Sequence, residues 1–188
     1  MTEITKVILL INLIILQLVW KFTTSYTLKE YLRNFFTLRA FLIMTIALIL
    51  IMQLLGFDLP IPNLSNNHLI SAIGLIINSA GLAVAVWAKL TMKANWGPPA
   101  QHNIEKQQHL VISGPYRFSR NPIYLGMLLI LTGFEIALKS SLVIIVLPVF
   151  LIIDMVIKKE EKLLEKHFGR QYLVYKRQVP RYLKLNFS

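Results

Sequence analysis

Cysteine is absent from this chain of 188 residues, which removes disulfides, thiolate metal sites and cysteine nucleophiles from consideration. Acids are scarce: nine Asp and Glu stand against twenty Lys and Arg. No Gly-x-Gly-x-x-Gly or Walker loop is present, and no serine-hydrolase elbow. His68, His102, His109 and His167 lack the i, i+4 spacing of a zincin pair, so no metal is expected. A net charge of +11 points to nucleic acid only when it forms a basic face on a soluble fold. Here the charge lies between apolar spans, and no nucleic-acid partner is expected.

What the chain has in quantity is apolar surface. Hydrophobic residues make up 55% of it and the mean hydropathy is +0.58, too apolar for a water-soluble globule of this length. A bilayer core of about 30 Å needs roughly 20 apolar residues in a helix. Five stretches meet or approach that length: Ile4 to Phe22, Leu38 to Phe57, Leu69 to Met92, Pro122 to Leu138 and Ser141 to Ile157. The expected fold is all-α, a polytopic integral membrane protein of about five transmembrane helices with a cytoplasmic loop and interfacial C-terminal helices. Residues 1–188 read as one membrane domain, with three helices in 1–92 and a polar loop, a helical hairpin and a tail in 93–188. Only Lys139 and Ser140 separate the last two spans, which implies a tight hairpin. Met1-Thr2-Glu3 and the lone Lys6 precede the first span without a small-residue cleavage site after it, the pattern of a retained anchor.

Lys and Arg divide 18 to 2 between the two sides of these spans, with only Lys6 and Lys139 on the poor side. Because cytoplasmic loops retain positive charge, the N-terminus is expected outside and the C-terminus inside. Gly74, Asn78, Gly81 and Ala85, at spacings of four, three and four, form a small-residue stripe suited to close helix packing. Asn78, Asn12 and Gln17 are expected to make interhelical hydrogen bonds. Pro148 is expected to kink the fifth helix, and Asp154 lies near its cytoplasmic end, within reach of water or a basic partner.

Most polar, aromatic and ionisable residues fall in the loop from Lys93 to Arg120 and in the tail from Lys158 onward. Gly97-Pro98-Pro99, Ser113-Gly114-Pro115 and Asn121-Pro122 punctuate the loop, and Pro122 opens the fourth helix. The free N–H groups of that helix start suit an anionic group. In the tail, Leu164, Phe168, Tyr172 and Tyr175 make an apolar stripe on a basic background, the pattern of a helix on the membrane surface, with Gly169 as a break. The Glu160-Glu161 pair reads as a solvated helix start or, beside the loop, as a carboxylate site for a cationic group.

Three runs carry a resemblance. They are His109-Leu110-Val111-Ile112-Ser113-Gly114-Pro115-Tyr116-Arg117, then Arg120-Asn121-Pro122-Ile123-Tyr124-Leu125-Gly126, then Glu160-Glu161 with Phe168-Gly169, Tyr172, Tyr175 and Val179-Pro180. In order and spacing they resemble the isoprenylcysteine carboxyl methyltransferase family, over roughly Gln101 to Arg181. The resemblance implies S-adenosylmethionine as cofactor, held without a Rossmann domain between a cytoplasmic loop, a transmembrane helix start and an acidic tail helix. The implied cofactor contacts are Gln101, Gln108, His109, Leu110, Val111, Tyr116, Asn121, Pro122, Ile123, Tyr124 and Glu160, with Glu160 facing the methionine ammonium. Arg120, Asn121 and Tyr124 are the implied catalytic positions. Two positions depart from the family pattern: Asn121 stands where the family usually has histidine, and Val156 where eukaryotic members place an arginine toward the substrate carboxylate.

The implied reaction is methyl transfer to a carboxylate of a lipidic, isoprenylcysteine-like acceptor entering from the bilayer. Such a nucleophile is already ionised at neutral pH, so alignment and water exclusion carry the catalysis and no general base is required. Arg117 or Arg120 would face the acceptor anion. The alternatives are an amine or phospholipid-headgroup methyltransferase, and an inactive membrane scaffold that retains the motif.

Overall fold

The computed structural model describes residues 3–24, 38–57, 67–92 and 109–183. They form six α-helices: α1 (Glu3–Thr23), α2 (Leu38–Leu54), α3 (His68–Met92), α4 (Pro122–Ala137), α5 (Val146–Phe168) and α6 (Arg170–Gln178). Short 3-10 turns occupy Gly114–Arg117 and Ser141–Ile145. All five apolar stretches are therefore helical. Three segments, Glu3–Thr23, His68–Met92 and Ser141–Phe168, are long and apolar enough to cross a membrane. α2 and α4, at 17 and 16 residues, are shorter. At 1.5 Å per residue α4 reaches only about 24 Å, so its ends lie within the apolar layer unless the surrounding loops extend it. Large apolar side chains such as Ile14, Leu48, Ile76, Leu147 and Leu151 are exposed, as lipid-facing positions must be.

The small-residue stripe on α3 does what its spacing predicts. α3 and α4 run antiparallel in close contact, with Gly74 beside Ala137 and Ala85 beside Gly126. A Cβ added at Gly81 would stand 2.7 Å from the Ile130 nitrogen, and one at Gly126 would stand 2.7 Å from the Ala85 nitrogen. Either is closer than non-bonded atoms can approach, so the interhelical distance exists only because both helices present glycine. Polar atoms in this seam are paired. Asn78 donates to the Ile130 carbonyl at 2.8 Å and accepts from Asn12 of α1 at 2.8 Å. Interhelical bonds of this kind contribute on the order of 0.6–2 kcal/mol each in a membrane. Gln17, by contrast, is exposed on α1.

Buried clusters step along the bundle. Leu9, Leu50, Phe134, Ala137 and Leu138 pack at one end, Leu82, Ala85 and Ile130 in the middle, and Ala88, Tyr116 and Ile123 at the other. At the first end a polar pair not anticipated from sequence joins α2 to α4: Gln53 Nε2 donates to the Glu135 carboxylate at 3.2 and 3.4 Å, and both residues are buried. The hairpin turns through Lys139 at a φ of 57°, and Ser140 Oγ accepts from the Leu142 N–H.

Pro148 lies in the first turn of the α-helical segment, which begins at Val146 directly after the 3-10 turn Ser141–Ile145, a position that suits proline. One expectation needs correction. The tail stripe does not face lipid. Tyr172, Tyr175 and Val179 are buried against Leu110 of the loop and against Leu164 and Phe168, because the loop offers a protein surface to the same face. Gly169 does break the helix, between α5 and α6.

The glycine seam yields a direct test. Gly81→Leu is expected to destabilise the protein by at least ~1–3 kcal/mol through overpacking, and to lower the thermal midpoint in detergent. Ile76→Leu, at a position 69% exposed, is expected to leave the midpoint unchanged. An unaltered midpoint for Gly81→Leu contradicts the pairing.

Candidate functional site

The end of the bundle opposite the hairpin is built where the loop, the start of α4, the outer half of α5 and the returning tail meet. Ser113-Gly114-Pro115 seats the loop on α3: Gly114 has a φ of 57°, and a Cβ there would come within 2.9 Å of Thr91 Oγ1. The turn is therefore specific to glycine on two counts. It delivers Tyr116 into the bundle, where its hydroxyl donates to Met92 Sδ at 3.1 Å and its carbonyl accepts from the Tyr175 hydroxyl at 2.7 Å. Val111 packs against the Ala88, Tyr116 and Ile123 cluster.

Glu161 is the most heavily engaged group. One carboxylate oxygen accepts from Arg120 Nε at 3.0 Å and Nη2 at 2.8 Å; the other accepts from Arg181 Nη2 at 2.8 Å and Nε at 3.3 Å. Asn121 Nδ2 lies 3.5 Å from the first oxygen. Burial works against the charge, and the hydrogen bonds from Arg181 and Arg120 offset that cost. Arg120 is committed further, donating through Nη1 to the Val179 carbonyl at 2.6 Å and the Lys176 carbonyl at 3.1 Å, and through its backbone N–H to the Pro180 carbonyl at 2.9 Å. Ser119 Oγ and Asn121 Nδ2 each donate to the Arg181 carbonyl at 3.1 Å. Beyond it, Arg181 reaches Asp154 at 3.4 Å, and Tyr182 donates to the same carboxylate at 2.7 Å. Lys158 pairs with Asp154 at 2.7 Å, so the acid near the end of the fifth span has the basic partners its position called for.

Glu160, one residue earlier, faces a different neighbour. The Tyr124 hydroxyl donates to Glu160 Oε2 at 2.9 Å, and both side chains are half-buried. The Tyr116 phenol is pushed up, first by burial and then by the negative charge of Glu160. Tyr116, Tyr124 and Glu160 thus share one electrostatic neighbourhood.

Among the described residues, the expected site residues fall into three main sets. Tyr116, Ile123, Tyr124 and Glu160 converge, with Pro122 fully buried at the helix start. His109 and Leu110 line a groove of about 570 Å³ with Arg117, bounded on the other side by Gln171, Val174 and Gln178. Asn121 and Arg120 turn toward the tail. Gln101 and Gln108 lie outside the described residues. The resemblance singled out Glu160 and gave Glu161 no role, yet a signal for it was present: Ile157, Glu161, Leu164 and Phe168 share one helical stripe, and Ile157 and Glu161 on it are buried. Of the two acids, Glu161 is therefore the one directed inward. Ser119, Arg181 and Tyr182 carried no such signal.

The phospholipid methyltransferase family model matches residues 69–171, more than half of the chain. Among curated proteins, the chain is similar to protein-S-isoprenylcysteine O-methyltransferase of Xenopus laevis, at 31% identity over 63% of this chain and 42% of that protein. It is likewise 31% identical to protein-S-isoprenylcysteine O-methyltransferase A of Arabidopsis thaliana, over 63% of this chain and 61% of that one. The Mus musculus protein-S-isoprenylcysteine O-methyltransferase matches at 30%, over 63% and 43%. The match thus spans between about two fifths and three fifths of these relatives. The expected resemblance is borne out, and the α3–α4 seam, the loop and the Glu160-Glu161 pair all fall inside the matched region: the chain belongs to the phospholipid methyltransferase family.

Proposed function

We propose that the protein is an S-adenosylmethionine-dependent carboxyl O-methyltransferase, acting at the cytoplasmic membrane face on a lipidic, isoprenylcysteine-like acceptor. The observation that carries this is the division of labour between adjacent acids. In a chain with more than twice as many bases as acids, Glu161 is consumed by two arginines, while Glu160 meets a tyrosine hydroxyl and is partly open. A half-buried carboxylate beside aromatic rings suits a cationic ligand carrying an ammonium and a sulfonium. The relatives' names, which specify O-methyl transfer to protein S-isoprenylcysteine, support the acceptor class. The 18-to-2 division of Lys and Arg supports the sidedness.

Glu160, Tyr124, Tyr116 and Ile123 would hold the cofactor, with His109, Leu110, Val111, Pro122 and the loop residues Gln101 and Gln108 completing the contact set that the family resemblance implies. When bound, S-adenosylmethionine supplies an electrophilic methyl group on a positively charged sulfur. The residues of the chain then have three tasks: fix the donor's ammonium at Glu160, present the acceptor carboxylate in line, and exclude water. Arg120 and Asn121 serve this indirectly, by holding the tail against the start of α4. Asn121 in place of the family histidine fits that task, because an amide supplies the donor that the Arg181 carbonyl accepts. Arg117, exposed at the groove, is the remaining candidate partner for the acceptor anion.

Glu160→Ala is expected to abolish S-adenosylmethionine binding measured by calorimetry in detergent; affinity equal to wild type would sink the assignment. The pH profile gives a second check. A carboxylate acceptor with a pKa of about 3.5–4 stays ionised across the neutral range, so kcat/KM should be flat between about pH 6 and 8. A rise with pH of about tenfold per unit instead indicates an acceptor that must lose a proton, as an amine does.

A further inference from the structure

We infer that Glu161 is the positioning residue of this site, fixing the distance between the start of α4 and α5 so that Glu160 can take up a cationic methyl donor; this rests on the methyltransferase proposal above. The geometry is that of two parallel rungs. Arg120 and Tyr124 lie four residues apart at the start of α4, and Glu161 and Glu160 are adjacent on α5. Arg120 pairs with Glu161, and Tyr124 with Glu160. In the Tyr124–Glu160 rung the hydroxyl donates to the carboxylate at 2.9 Å between half-buried groups. On the Glu161 carboxylate, whose side chain is 5% exposed, two charge-assisted contacts from Arg120 tie the start of α4 to α5, and two from Arg181 bring in the tail.

A cation arriving at Glu160 competes with the Tyr124 hydroxyl for the carboxylate, so that hydrogen bond must open or be shared. The Arg120–Glu161 pair then keeps the start of α4 on α5. The same carboxylate orients Arg120, whose remaining donors grip the Lys176, Val179 and Pro180 carbonyls and lay the tail over Ser119 and Asn121. Glu161 acts through Glu160 and the helix start. Its loss should weaken donor binding and leave acceptor binding alone.

The test uses the full chain in detergent with S-adenosylmethionine by calorimetry, then initial rates with methyl-labelled donor and farnesylcysteine. Glu161→Gln is expected to raise the donor Kd and donor KM about tenfold through lost positioning, while the acceptor KM changes by less than about twofold. Glu161→Asp, which restores the charge, should recover most of the donor affinity. Arg181→Ala removes only the partly exposed member of the triplet and should raise the donor KM severalfold, which keeps the inference testable if Glu161→Gln does not stay monodisperse. A folded Glu161→Gln or Arg181→Ala protein with wild-type donor Kd, even with a lowered melting temperature, overturns the positioning role. Wild-type protein that binds no donor at all overturns the methyltransferase proposal on which it rests.

Discussion

The buried carboxylate of Glu161, bracketed by Arg120 and Arg181, is the contact on which the site end of the molecule depends. Three segments distant in sequence meet at it: the residues before α4, the outer half of α5, and the returning tail. An ion pair of this kind is a poor source of net stability, since desolvation offsets most of the attraction, but it is unforgiving of change because any unpaired member is left as a buried charge. That is the property a site needs. It fixes where helices end without requiring the surrounding side chains to be rigid.

A second constraint operates inside the bilayer. Lipid gives no hydrophobic push between helices, so α3 and α4 associate by backbone proximity, through Gly74, Gly81, Gly126 and Gly133, with Asn78 bridging to both α4 and α1. The seam extends from the hairpin end to Ala85, three residues before Ala88 contributes to the cluster that packs Tyr116 and Ile123. Packing chosen for close approach in the apolar layer thereby sets the position of the loop that rests on top of it.

Much of this was legible in the sequence. The five apolar runs, the α3 stripe, the Gly169 break and the Lys139-Ser140 turn follow from periodicity and composition, which act locally. The α4 glycines that complete the seam were not singled out, because a packing partner is a property of two helices and Gly126 and Gly133 are seven residues apart within an apolar run. Glu135 escaped notice for a related reason: its partner, Gln53, is 82 residues away. The tail was misread because amphipathicity shows that a face is apolar but not what covers it; here Leu110 covers it rather than lipid. Arg120 and Asn121 were assigned by resemblance to the chemistry; their donors are directed at Glu161 and at the tail, a pattern that only the geometry of that carboxylate and of the carbonyls at 176, 179, 180 and 181 could give.

In the proposed reaction a half-buried carboxylate, Glu160, takes up a cationic methyl donor for transfer to a carboxylate. The most direct measurement is the chemical nature of the methylated product. Purified protein incubated with methyl-tritiated S-adenosylmethionine and farnesylcysteine should yield label that mild alkali releases as volatile methanol, the signature of a methyl ester. Label that stays bound to the lipid after alkali, or no transfer to any lipid acceptor, would contradict the account.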